Sequence, residues 1–81
     1  MEEKFDEIEA KVKNVIMRVL QVDDAAVKRT STIADLGGDS LAALGILAAL
    51  EQEFEIDIPD EEALKITSFV TAVEVVRKHT K

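Results

Sequence analysis

Apolar residues recur at helical spacing from the start of the chain. Phe5, Ile8, Val12, Val15, Ile16 and Val19 share one face of a helix predicted from Glu2 to about Val19. Glu2, Glu3, Asp6 and Glu7 crowd its beginning and Arg18 lies near its end, each at the helix pole that favours its charge. Glu7 with Lys11, and Glu9 with Lys13, are spaced as i,i+4 ion pairs worth about 0.2–0.5 kcal/mol each. A second helix is predicted from Asp39 to about Phe54, with Ala43, Ile46, Leu47, Leu50 and Phe54 turned inward. No charge occurs from Leu41 to Leu50, which leaves Leu41, Leu44 and Ala48 as a second apolar face. Either this is a core helix buried on every side, or that face meets a partner protein. Gly45, in mid-helix, is expected to mark the close approach of another backbone.

After Pro59, Asp60-Glu61-Glu62 opens a short helix ending near Lys65. Ser68 is the expected cap of a last helix from Phe69 to about Lys78. Phe69, Ala72, Val73 and Val76 would face inward, with Arg77 and Lys78 at its C-terminal pole. Between the first two helices, residues 21 to 38 carry turn formers, and Val27, Ile33 and Leu36 are expected to pin this long connection to the core. The pattern sums to an all-α chain, a single domain over 1–81, with three longer helices and one short one.

Composition narrows the function classes. The chain has no cysteine, which removes disulfides, thiolate metal sites and cysteine nucleophiles. A cytoplasmic location is expected, since no basic stretch followed by an apolar run opens the chain as in a signal peptide. No apolar run approaches the roughly 20 residues of a membrane span. A formal net charge of −7 opposes nucleic acid and favours basic protein partners. The charge is also uneven: every charged residue from Asp35 to Glu62 is acidic.

One stretch stands apart chemically. Asp35-Leu36-Gly37-Gly38-Asp39-Ser40-Leu41 places two glycines, an aspartate and a serine ahead of the uncharged helix. A serine there lies beside the unpaired N–H groups of a helix start, a good place to hold a phosphate. It is equally a good place for a plain helix cap. No catalytic residue is assigned. Ser40 has no nearby His or Lys in sequence, His79 is the sole histidine and is expected to be solvated, and Gly37-Gly38 lacks the lysine and spacing of a P-loop. The acidic residues do not follow the order of an EF-hand loop, and no metal site is expected.

Leu36-Gly37-Gly38-Asp39-Ser40-Leu41, then Leu50-Glu51-Gln52-Glu53-Phe54, then Ile58-Pro59-Asp60-Glu61-Glu62-Ala63 and Lys65-Ile66-Thr67, resemble an acyl carrier protein over essentially the whole chain. The resemblance implies a four-helix bundle. It implies 4′-phosphopantetheine, transferred from coenzyme A onto Ser40 with Asp39 and Gly38 beside it, and acyl groups carried as thioesters in fatty-acid or related biosynthesis. The implied partners are a phosphopantetheinyl transferase and acyl-loading and acyl-transferring enzymes, meeting a monomer through Leu41, Leu44, Ala48, Glu51 and Glu53. The motif departs from fatty-acid carriers at Ala42 and Gly45, where that family usually has acids. Leu-Gly-Gly-x-Ser-Leu itself is similar to peptidyl carriers. A discrete aminoacyl or peptidyl carrier is therefore the alternative, and an acidic helical adaptor without a prosthetic group is the remaining one.

Overall fold

The computed structural model describes residues 4–80. Three α-helices, α1 (Glu7–Leu20), α2 (Ser40–Phe54) and α3 (Phe69–His79), are joined by a 3₁₀ turn (Asp24–Ala26) and a short 3₁₀ helix (Asp60–Lys65). The all-α bundle expected from the sequence is the one observed, with the short helix tighter than an α-helix.

The first helix starts later than its charge pattern suggested. Asp6 has extended backbone and caps α1: its carboxylate accepts the Glu9 N–H at 2.8 Å, and Glu9 Oε1 accepts the Asp6 N–H at 3.0 Å. A capping box of this kind satisfies two donors that a helix start would leave bare, so the helix begins there rather than at Glu2. Glu2 and Glu3 lie outside the described residues. Glu9 also pairs with Arg29 at 3.2 Å. The expected Glu9–Lys13 pair is replaced, because Lys13 reaches Asp24 at 3.0 Å; the Glu7–Lys11 pair forms at 3.7 Å.

The connection after α1 is tied down by its own polar side chains. Ser31 Oγ accepts the Lys28 N–H at 2.9 Å and donates to the Ala26 carbonyl at 3.1 Å. Val27 and Ile33 are buried and Leu36 is half-buried, as the sequence predicted. Two backbone bonds then stitch the loop to the segment before α3, Ile33 N–H to Thr67 O at 2.8 Å and Phe69 N–H to Ser31 O at 3.0 Å. This places the end of the loop, and hence the start of α2, beside the short helix.

α1 packs on both α2 and α3, and the short helix packs on α2 and α3. Ile16, Ile46, Leu50, Phe69 and Val76 are almost wholly enclosed at the centre. Each such side chain contributes about 1.5–3 kcal/mol relative to exposure. Ser68 caps α3, accepting the Thr71 N–H at 3.2 Å, while Thr71 Oγ1 accepts the Ser68 N–H at 2.9 Å. The inward residues Phe69, Ala72, Val73 and Val76 are buried as expected, joined by Val75.

The close backbone approach expected at Gly45 is not observed. A Cβ built there would meet only Val19 Cγ1, at 3.5 Å, which is ordinary contact. Among the described residues no backbone atom from outside α2 lies within 4 Å of that position.

Candidate functional site

The start of α2 is built by a tight entry. Asp35 N–H donates to Thr32 Oγ1 at 3.0 Å, and Gly38 N–H donates to the Ile33 carbonyl at 2.8 Å. The two glycines serve separate needs. Gly37 has φ +85°, in the left-handed region that suits glycine. Gly38 is pressed against the loop: a Cβ there would lie 2.5 Å from Ile33 Cγ2 and 3.2 Å from the Ile33 carbonyl oxygen.

Asp39, not Ser40, caps the helix, its carboxylate accepting the Ala42 N–H at 2.9 Å. Ser40 is the first helical residue and is exposed. Its hydroxyl makes no hydrogen bond among the described residues, and neither do the N–H groups of Ser40 and Leu41. An outward hydroxyl with spare donors beside it, at the positive pole of a fifteen-residue helix, suits a phosphodiester.

Beside Ser40 lies an apolar cleft of about 490 Å³ between α2 and the short helix. Ile33, Ala43, Leu44, Ala63, Leu64 and Ile66 supply apolar wall, with Asp39 and Asp60 at its polar margin. α2 is therefore not buried on every side. Leu41 is 74% exposed and Leu44 46%, and Ala48 is exposed further along. Glu51 and Glu53 lie at the far end of α2 and are partly engaged within the fold. Glu51 Oε2 accepts the Ile58 N–H at 3.1 Å, and Glu53 pairs with Arg18 at 3.5 Å.

Leu64, 82% exposed, joins Leu41 and Leu44 around the cleft and was not singled out from the sequence. A period of three would have found it: in a 3₁₀ helix Ala63 and Ile66 share one face and Leu64 falls with Glu61 on another. Nor was Glu62 singled out. It lies buried on the side of the short helix away from the cleft, with Lys78 Nζ at 2.9 Å, Lys65 Nζ at 3.2 Å and His79 Nε2 at 3.4 Å. The ammonium groups of Lys78, which donates to it, and of Lys65 beside it hold its pKa down to about 2, against the pull of burial. His79, expected to be solvated, is instead half-buried against this carboxylate.

Among the described residues no group of three or more His, Cys, Asp or Glu is placed to hold a metal ion, and no helix is long and apolar enough to cross a membrane. The family model described as a phosphopantetheine attachment site matches residues 10–76. That span takes in the capped serine helix, the cleft and the short helix. Domains of this family hold covalently attached 4′-phosphopantetheine, are themselves non-catalytic, and work with phosphopantetheinyl transferases and partner enzymes. The chain belongs to the phosphopantetheine attachment-site family and is a carrier protein rather than an enzyme.

Proposed function

We propose that Ser40 is the attachment residue and that the protein is an acyl carrier for fatty-acid or related specialised lipid or polyketide synthesis, working in the cytoplasm as a monomer. The observation that carries the acyl reading is the apolar cleft against Ser40. A wall of Ile33, Ala43, Leu44, Ala63 and Ile66 rewards burial of an alkyl chain; it offers little to the charged amine of an aminoacyl group. When bound, the prosthetic group supplies a flexible arm ending in a thiol that carries its cargo as a thioester. The chain's own residues position that arm. Asp39 fixes the helix start, Gly38 lets the loop close behind it, and the free N–H groups of Ser40 and Leu41 face the place where phosphate charge would sit.

Partner enzymes would dock on the exposed leucines around Ser40, Leu41 and Leu44 with Leu64 added, and on Ala48. Asp35, Asp39, Asp60 and Glu61 would steer basic partners toward them. Glu51 and Glu53, partly engaged internally, would contribute less.

The test is intact mass after incubation with coenzyme A and a promiscuous phosphopantetheinyl transferase. Wild type should gain the mass of the arm and Ser40→Ala should not; a loaded Ser40→Ala protein would refute the assignment. The holo-protein should then be charged by an adenylating enzyme that uses fatty acids. Charging by one that uses amino acids, and not by the first, would favour the peptidyl-carrier alternative, which the uncharged front of α2 also suits.

A further inference from the structure

We propose that Glu62 is a clasp: its buried carboxylate fastens the short helix to the end of α3 and so keeps the wall of the Ser40 cleft in place. The short helix is six residues of 3₁₀ geometry, too short to hold its own shape. Its apolar anchors, Ile58, Ala63 and Ile66, all lie on the side of the core and the cleft. Polar anchors act at its flanks. Ile58 N–H is held by Glu51 at 3.1 Å before it, and Thr67 N–H by Thr71 Oγ1 at 3.0 Å after it. Between those flanks, Glu62 carries the side-chain polar links from the body of the short helix to α3. It is also one of only two buried polar residues among those described, with Ser31.

The carboxylate works as a junction. Oε1 receives Lys78 Nζ at 2.9 Å and lies 3.4 Å from His79 Nε2, both on α3. Oε2 is buried without a hydrogen bond, with Lys65 Nζ 3.2 Å away as its counter-charge. Taking a carboxylate out of water is costly, and it is tolerated here because cations from two elements converge on it. Remove the charge and the reason for Lys78 and Lys65 to converge disappears. Asp60, Ala63 and Leu64 of the same helix line the cleft, and Glu62 does not. With the clasp released, that wall swings away from α2 and the cleft opens. The inference rests on the reading above only for what enters the cleft.

The test uses the unmodified protein, so its failure is separable from any failure of Ser40 loading. Amide hydrogen exchange is compared in wild type, Glu62→Gln and Lys78→Met. The reporters are the Glu62 and Ile66 amides, bonded to Pro59 O at 2.9 Å and Ala63 O at 3.1 Å. Both variants should speed these by roughly tenfold or more, while amides of Ile16, Ile46 and Val76 stay unchanged, as expected for local opening. The neutral apolar dye N-phenylnaphthylamine should bind both variants several-fold more tightly than wild type. Equal acceleration throughout the fold would overturn the proposal, since Glu62 would then serve only overall stability. Unchanged exchange in the short helix, or unchanged dye binding, would overturn it as well. If Glu62→Gln does not fold, Lys78→Met decides, because it leaves Glu62 with Lys65 and His79.

Discussion

Gly38 and Gly45 lie seven positions apart in sequence and make opposite demands. Gly38 is required by space, because its missing Cβ is where Ile33 packs. Gly45→Ala meets only ordinary contact at Val19 and replaces a poor helix former with the best one. Gly38→Ala should therefore destabilise by about 1–3 kcal/mol, as overpacking does. Gly45→Ala should stabilise by up to about 1 kcal/mol. Urea unfolding midpoints of the two variants check both signs, and a stable Gly38→Ala protein would mean that Ile33 can move aside. Asp39 and Ser40 divide the helix start in a similar way. Asp39→Ala should cost about 0.5–2 kcal/mol, because it removes the bond to the Ala42 N–H. Ser40→Ala should leave the unfolding midpoint nearly unchanged, since its hydroxyl makes no hydrogen bond among the described residues. A Ser40→Ala loss as large as that of Asp39→Ala would show that the serine, not the aspartate, carries the cap.

Elements were legible where periodicity and local caps agree. Ala43, Ile46, Leu47 and Leu50 are buried as their spacing predicts, and Ser68 caps α3 through bonds that span only three residues. The loop anchors Val27 and Ile33 were legible as lone apolar residues in polar sequence. Legibility failed where a partner is distant in sequence. Lys13 chose Asp24 over Glu9 because Glu9 is held by the Asp6 N–H and by Arg29, twenty residues away. The exposed face of α2 could not be told from a buried one, since that depends on how far the short helix stands from it. The short helix itself was readable in extent but not in period, which hid both Leu64 and Glu62. For the candidate site, the capped helix start that bears Ser40 was legible from its motif, whereas the cleft beside it is a product of three elements meeting.

At the scale of the whole molecule, charges segregated along the chain are brought together in the fold. The basic end of α3 meets acids from two other places: Arg77 pairs with Asp6 at the start of α1, and Lys78 with Glu62. Much of the acidic run from Asp35 to Glu62 stays on the surface, but Glu62 is folded inward. That one inward carboxylate should mark the stability of the protein with a defined pH dependence. Its folded pKa is about 2 and its ordinary value 4.5, so the folded state holds the ionised form more tightly than the unfolded chain does. Its stabilisation is therefore fully present above pH 4.5 and is lost as the pH falls toward 2. The groups facing it are Lys65, Lys78 and His79, with the acids Glu61 and Glu74 nearby. Asp6 is also depressed, chiefly by the Glu9 N–H and then by Arg77, and would contribute acid sensitivity of the same sign. Comparing wild type with Glu62→Gln cancels that shared part. The difference in their urea midpoints should be constant near neutral pH, shrink below pH 4.5 and approach zero only below pH 2, once the folded carboxyl is protonated. Glutamine and protonated glutamic acid are by then nearly equivalent in charge and shape. A difference that persists undiminished at the acid end would mean that Glu62 contributes through packing rather than through its charge.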